Sequence, residues 1–85
     1  MKVVFSQHAK KDKFFILAKH KFNLNESDVI RVIENPEHED RESNFPNIIA
    51  SRGFDEKHVL RVVYRREDDI IKIITFYPAE KGRYY

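Results

Sequence analysis

The residues best suited to chemistry lie in the last third of the chain and are cationic or aromatic. Arg61, Arg65 and Lys72 fall where one face of a β-hairpin would present them, and Lys81, Arg83, Tyr84 and Tyr85 follow in a short tail. Guanidinium and ammonium groups grip phosphate oxygens, and tyrosine rings stack on unpaired bases. That set suits metal-free cleavage of RNA. A base must take the 2′-OH proton, cations must stabilise the phosphorane, and an acid must protonate the leaving oxygen. In this reading Arg61 holds the phosphate, Lys81 or Arg83 stabilises the phosphorane, and Tyr84 stacks on a base. His8, in the first turn of the first helix, is the titratable candidate near neutral pH. A plainer reading stands beside it: alternating arginines solvate an exposed sheet face, and the terminal tyrosines close the edge of a core.

Other chemistries find little support. There is no cysteine, hence no thiolate nucleophile and no disulfide. Gly53 and Gly82 are too few and too scattered for a phosphate-cradling loop. His8, His20, His38 and His58 lack metal-ligand spacing. His38 sits among Glu37, Glu39 and Asp40, but neighbours in a strand alternate faces and do not converge on one ion. No serine stands in a nucleophile-elbow context. No cofactor and no metal are expected.

These residues need a hairpin to position them. His58 to Arg66 carries Leu60, Val62 and Tyr64 at period two, and Ile70 to Tyr77 is β-branched and aromatic. A two-residue loop at Asp68-Asp69 pairs Tyr64 with Ile73, Val62 with Thr75 and Leu60 with Tyr77. Those six would form one uncharged face. Arg61, Arg65 and Lys72 would share the other with Val63, Ile74 and Phe76. A three-residue loop would mix the faces, so burial favours the even loop. Pro78 is expected to end the second strand, letting the tail turn back over the sheet.

Upstream segments read as cover for the uncharged face. Met1 to Phe5 is a short strand, and Ser6 suits an N-cap. From Gln7 to Phe22, the residues Phe14, Phe15, Ala18 and Phe22 form an apolar stripe beside Leu17, with lysine opposite. Asn25 with Asp28 three residues on marks a second helix, Glu26 to Glu34, burying Val29, Ile30 and Ile33 and stopped by Pro36. Glu37 to Phe45 is polar and suits a poorly covered strand or an irregular edge segment, and Asn47 to Arg52 reads as a strand. The expected core is Leu60, Val62, Tyr64, Ile71, Ile73, Phe14, Ala18, Phe22, Val29 and Ile33. The expected fold is α+β, β-α-α-β-β-β with an optional further strand. It is a twisted, mainly antiparallel sheet with an αα-hairpin on one face, in a single domain over residues 1–85.

Charge is segmented. Residues 1–24 carry six lysines and one acid, residues 25–56 nine acids and three arginines, and residues 57–85 seven bases and four acids. Two basic segments around an acidic one suit a protein with one anion-binding face. No apolar run is long enough to span a bilayer, and the first residues lack a signal-peptide core. A soluble, cytoplasmic protein without a membrane partner is expected.

The segments FSQHAKKDKFF, NLNESDVIRVIENP and HVLRVVYRREDDIIKIITFYPAEKGRYY resemble a small bacterial and archaeal domain family related to BrnT. More distantly they resemble the RelE and ParE toxins. The likeness spans nearly the whole chain and is most specific in the C-terminal piece. It implies a RelE-like fold and the toxin component of a toxin–antitoxin system. It further implies an endoribonuclease acting on free or ribosome-bound mRNA and neutralised by a cognate antitoxin. Relatives place Arg, Lys and Tyr from sheet and tail at the RNA. The matching positions are Arg61, Tyr77, Lys81, Arg83 and Tyr84, with Arg65, Lys72 and Tyr85 beside them, and His8 matches an early His-Ala pair. The tryptophan-containing opening usual in BrnT-like proteins is absent. The alternatives are a non-enzymatic ParE-like inhibitor, an RNA-binding module, or an orphan domain without toxicity.

Overall fold

A computed structural model describes residues 2–7, 14–19 and 24–82 of the chain. The elements run β1 (Lys2–Phe5), α1 (Phe14–Lys19), α2 (Glu26–Glu34), β2 (His38–Asp40), β3 (Ile48–Gly53), β4 (His58–Glu67) and β5 (Ile70–Glu80). The strands form one open sheet in the order β1-β5-β4-β3-β2. All pairs are antiparallel except β1 with β5. This is the α+β arrangement expected, with β2 as a short charged edge strand; such an edge resists pairing with another sheet. No helix among the described residues is long and apolar enough to cross a membrane.

Local sequence chemistry explains the second helix. The Asn25 side chain accepts from the Asp28 backbone N–H at 3.0 Å, and the Asp28 carboxylate accepts from the Asn25 N–H at 3.0 Å. This reciprocal capping box satisfies two donors that a helix start otherwise leaves bare. At the other end Asn35 N–H reaches Arg31 O, and Pro36 follows.

Val29 and Val32 of α2, with Leu17 of α1, pack on Ile48, Ala50, Leu60, Val62 and Tyr64 of the sheet. The expected core needs correction at three helical positions. Ala18 is exposed and its neighbour Leu17 is buried. Consecutive helical residues lie about 100° apart, so only one of the two can face the sheet. In α2 the buried pair is Val29 and Val32, while Ile30 and Ile33 are half-buried flanks. The side chain of Phe14, all of Phe22 and the outer parts of the expected Gln7–Phe22 helix lie outside the described residues.

The β4–β5 hairpin turns at Asp68-Asp69, as the even loop requires, and Asp68 adopts a left-handed φ of 55°. A short polar side chain tolerates that conformation better than a β-branched one. Tyr64 pairs with Ile73 as expected, but the register then slips by one: Val63 pairs with Thr75, Val62 with Phe76 and Arg61 with Tyr77. Ile74 is the extra residue of a β-bulge. The bulge is tied to β1, because Ser6 N–H donates to Ile73 O and Ser6 Oγ donates to Ile74 O, both at 3.0 Å. Ser6 was expected to cap the first helix; Gln7 after it is helical, and residues 8–13 lie outside the described residues.

That slip exchanges the faces of the distal half of β5. Phe76, expected beside the arginines, is fully buried under the helices, and Thr75 and Tyr77 move to the opposite face. Pro78 does not end the strand, since β5 continues to Glu80 with Pro78 opposite Leu60. Along this stretch β1 no longer accompanies β5, so one edge has no partner strand among the described residues. An edge of that kind accepts a residue without an N–H.

Candidate nucleic-acid interface

Directly paired residues share a face of the sheet, so the register defines the surface opposite the helices. One row across it reads His38, Ser51, Arg61, Tyr77. A neighbouring row reads Asp40, Ile49, Val63, Thr75, and further along Arg65 stands opposite Lys72, which in turn pairs with Val4. Arg61, Arg65 and Lys72 thus come together on one face, as the sequence implied. Tyr77 joins them because of the bulge.

Arg61 and Tyr77 form the best-defined unit. Arg61 Nε donates to Tyr77 Oη at 3.1 Å, and its guanidinium carbon lies 5.8 Å from the ring centroid. Hydrogen bond and cation–π contact together hold a half-buried guanidinium in one orientation. Ser51, between His38 and Arg61, is 1% exposed, and its hydroxyl has no hydrogen-bond partner. Arg65 and Lys72 place like charges directly opposite, which is unfavourable in a sheet. Glu67 offsets this, its carboxylate accepting from Arg65 at 2.6 and 2.9 Å.

Lys81 follows β5 and is fixed by its main chain, whose N–H donates to Lys57 O at 2.9 Å. Its side chain crosses the end of β4 to Gly53 of β3, where a Cβ would stand 3.7 Å from Nζ. Gly53 belongs to the same pleat face as Ser51, so the ammonium lies about 7 Å along the strands from the Arg61 row. His8, Arg83, Tyr84 and Tyr85 lie outside the described residues.

A second cluster was missed in the sequence because Gly53 to Lys57 reads simply as a turn. Asp55 Oδ1 accepts from the N–H groups of Lys57 (2.8 Å) and His58 (2.7 Å), closing that turn. The same carboxylate meets His58 Nδ1 at 2.9 and 3.1 Å. Partial desolvation pushes the Asp55 carboxyl up, but the Lys57 N–H and the His58 contacts outweigh it and leave its pKa below the ordinary value. His58 opens onto a cleft of about 370 Å³ lined by Glu56, Lys57, Glu80 and Lys81. The readable signal was an Asp three residues before a His at a strand start.

On the acidic edge, carboxylates serve the structure. Asp40 accepts from the N–H groups of Glu42 and Ser43, each at 3.0 Å. The Ser43 backbone and hydroxyl, then Glu42, hold its carboxyl down at about 2. Glu39 pairs with Arg41 and receives the Tyr64 hydroxyl at 3.5 Å. Burial, then the Glu39 charge, raise the Tyr64 phenol above its ordinary pKa.

Comparison with known proteins returned no significant match to a family model, a curated protein or a solved structure.

Proposed function

We propose that the face of the sheet opposite the described helices binds the RNA backbone, and that the protein is a metal-independent endoribonuclease of RelE-like architecture, the toxin of a toxin–antitoxin pair. The observation that carries the reading is the Arg61–Tyr77 unit, a guanidinium pinned over an aromatic ring in the middle of a cationic face. Arg61 holds a phosphate, Lys72 and Arg65 extend the track, Tyr77 offers a stacking surface, and Lys81 meets the phosphorane charge. The face opposite carries the helices; on this one Ile49, Ser51, Val59 and Ala79 are buried, and the half-buried Arg61, Arg65, Lys72 and Tyr77 are the residues that reach the RNA. The acidic middle segment keeps the rest of the surface from competing. An antitoxin with an acidic segment would compete with RNA for the same face.

The test is induction of the protein in bacteria with growth and mRNA integrity measured together, alongside alanine variants at Arg61, Lys81, Arg83 and Tyr84. Removal of one phosphorane-stabilising cation should slow cleavage by about 10²–10³-fold without unfolding. RNA binding should weaken steeply with salt, because neutralised phosphates release counterions. Intact mRNA during full expression, or four folded variants as active as the parent, would refute the assignment.

A further inference from the structure

The side of the sheet that carries α2 offers a site of a different kind, and it does not depend on the nuclease reading. Asp28, Arg31 and Val32 stand three and four residues apart on α2, so one face of the helix presents all three. They border a cleft of about 160 Å³ whose other walls include Arg52, Phe54 and Leu60 of the sheet and its β3–β4 connection. We propose that this cleft is a docking site for an acidic peptide segment of a protein partner. The arginines hold a carboxylate, and an apolar neighbour in the peptide fills the floor.

The chemistry of the walls selects that occupant. The floor is apolar: Val32 and Leu60 are buried, and Phe54 is half-buried against the same core. Arg52 pairs with Leu60, on the helix side of the sheet. It is anchored by Nη1 donating to Asn35 O at 2.9 Å, which leaves its other donors for a ligand. Arg31 is exposed, and its side chain makes no hydrogen bond or ion pair to a described residue. Guanidinium groups beside one apolar slot take a carboxylate through paired N–H donors. Asp28 narrows the choice. Its Oδ2 accepts from Asn25 N–H, and its other oxygen can accept a main-chain N–H of a peptide. With two cations and one anion in its walls, the cleft matches a single carboxylate, while Glu26 and Glu34 at the two ends of α2 repel a polyanion such as RNA. Its volume falls below the roughly 300–1,000 Å³ of small-molecule pockets and suits one or two side chains. The cleft lies on the side of the sheet away from Arg61, so a peptide here and RNA there would not exclude one another.

The experiment titrates the full, isotope-labelled chain with a short N-acetylated peptide of alternating leucine and glutamate and follows the amide shifts. Saturable shifts at Val32, Phe54 and Leu60, weakened by salt, are expected. Replacing glutamate by glutamine in the peptide should lower affinity by about 10–100-fold, the loss of a charge-assisted pair. Arg31→Gln, at an exposed position, should keep the fold and weaken the leucine–glutamate peptide by about 10-fold. Arg66→Gln, on the same side of the sheet but about 20 Å along β4, should change nothing. Hexanoate, a carboxylate with an apolar tail, should bind more weakly than the peptide. No shift at those amides, equal binding of the glutamine peptide, or equal effects of the two arginine variants overturns the inference. Hexanoate binding as tightly as the peptide, or an RNA oligonucleotide displacing the peptide, overturns it as well. None of these outcomes touches the nuclease reading, which is judged by mRNA cleavage.

Discussion

Phe76→Ala tests the bulge most directly, because the two registers predict opposite results. With an unbroken hairpin Phe76 would lie on the open face, and its truncation would be nearly neutral. In the structure it is 0% exposed, packed beside Val62 and Ile73. Truncating a buried phenylalanine removes the transfer free energy of the ring and leaves a cavity, together about 3–5 kcal/mol. A domain of this size has only about 5–10 kcal/mol to lose. With a urea m-value of about 1–1.5 kcal/mol/M, the midpoint should fall by about 2–5 M. Phe76→Leu, which keeps most of the volume, should cost about 1–2 kcal/mol and remains measurable if the alanine variant does not fold. Thr75→Ala, on the open face, should stay within about 0.5 kcal/mol. The measurement is urea unfolding at fixed pH, followed by far-ultraviolet circular dichroism. A Phe76→Leu effect near zero, or a larger effect at Thr75, would refute the slipped register and with it the place of Tyr77 beside Arg61.

Ser6→Ala removes the donor that holds the bulge carbonyl of Ile74 and should destabilise by about 1–2 kcal/mol, read as a lower urea midpoint at unchanged m. Val62→Ala, at a fully buried position between α2 and the sheet, should cost about 1–3 kcal/mol by the same assay. Asp40 has a folded pKa below its unfolded one, so its contribution is present above the ordinary 3.8 and is lost as pH falls toward about 2. An Asp40→Ala protein should therefore lose stability less steeply than the parent across that window in acid titrations monitored by circular dichroism.

Some of this was readable residue by residue. Asn25 and Asp28 spell a capping box, and both bonds are present. The alternation at Leu60, Val62 and Tyr64 named the buried face of β4, and the Asp68-Asp69 loop set the first pairs of the hairpin. Arg61, Arg65 and Lys72 were assigned to one face correctly, because all three lie where strand parity is decided by that loop or by β4 alone. The errors begin at Ile74. Nothing in IIKIITFYP distinguishes a bulged isoleucine from its neighbours, since every residue there suits a strand. Likewise Asp55 read as a turn residue and His58 as the start of a strand, and only the folded turn brings the carboxylate to the ring.

The division follows from the range of the interactions. Alternation, caps and the tight turn are local, so the sequence alone determined the element order, the α+β class and the polarity of β4. The bulge is held from outside its own segment, by Ser6 at the far end of the chain, whose hydroxyl reaches Ile74 O across 68 positions of sequence. Packing of α2 on the sheet likewise chose Val32 over Ile30. Only the assembled sheet, with β1 laid parallel to β5, decides that Phe76 enters the core and that Tyr77 stands beside Arg61. A side-chain period of two makes one inserted residue enough to exchange the faces.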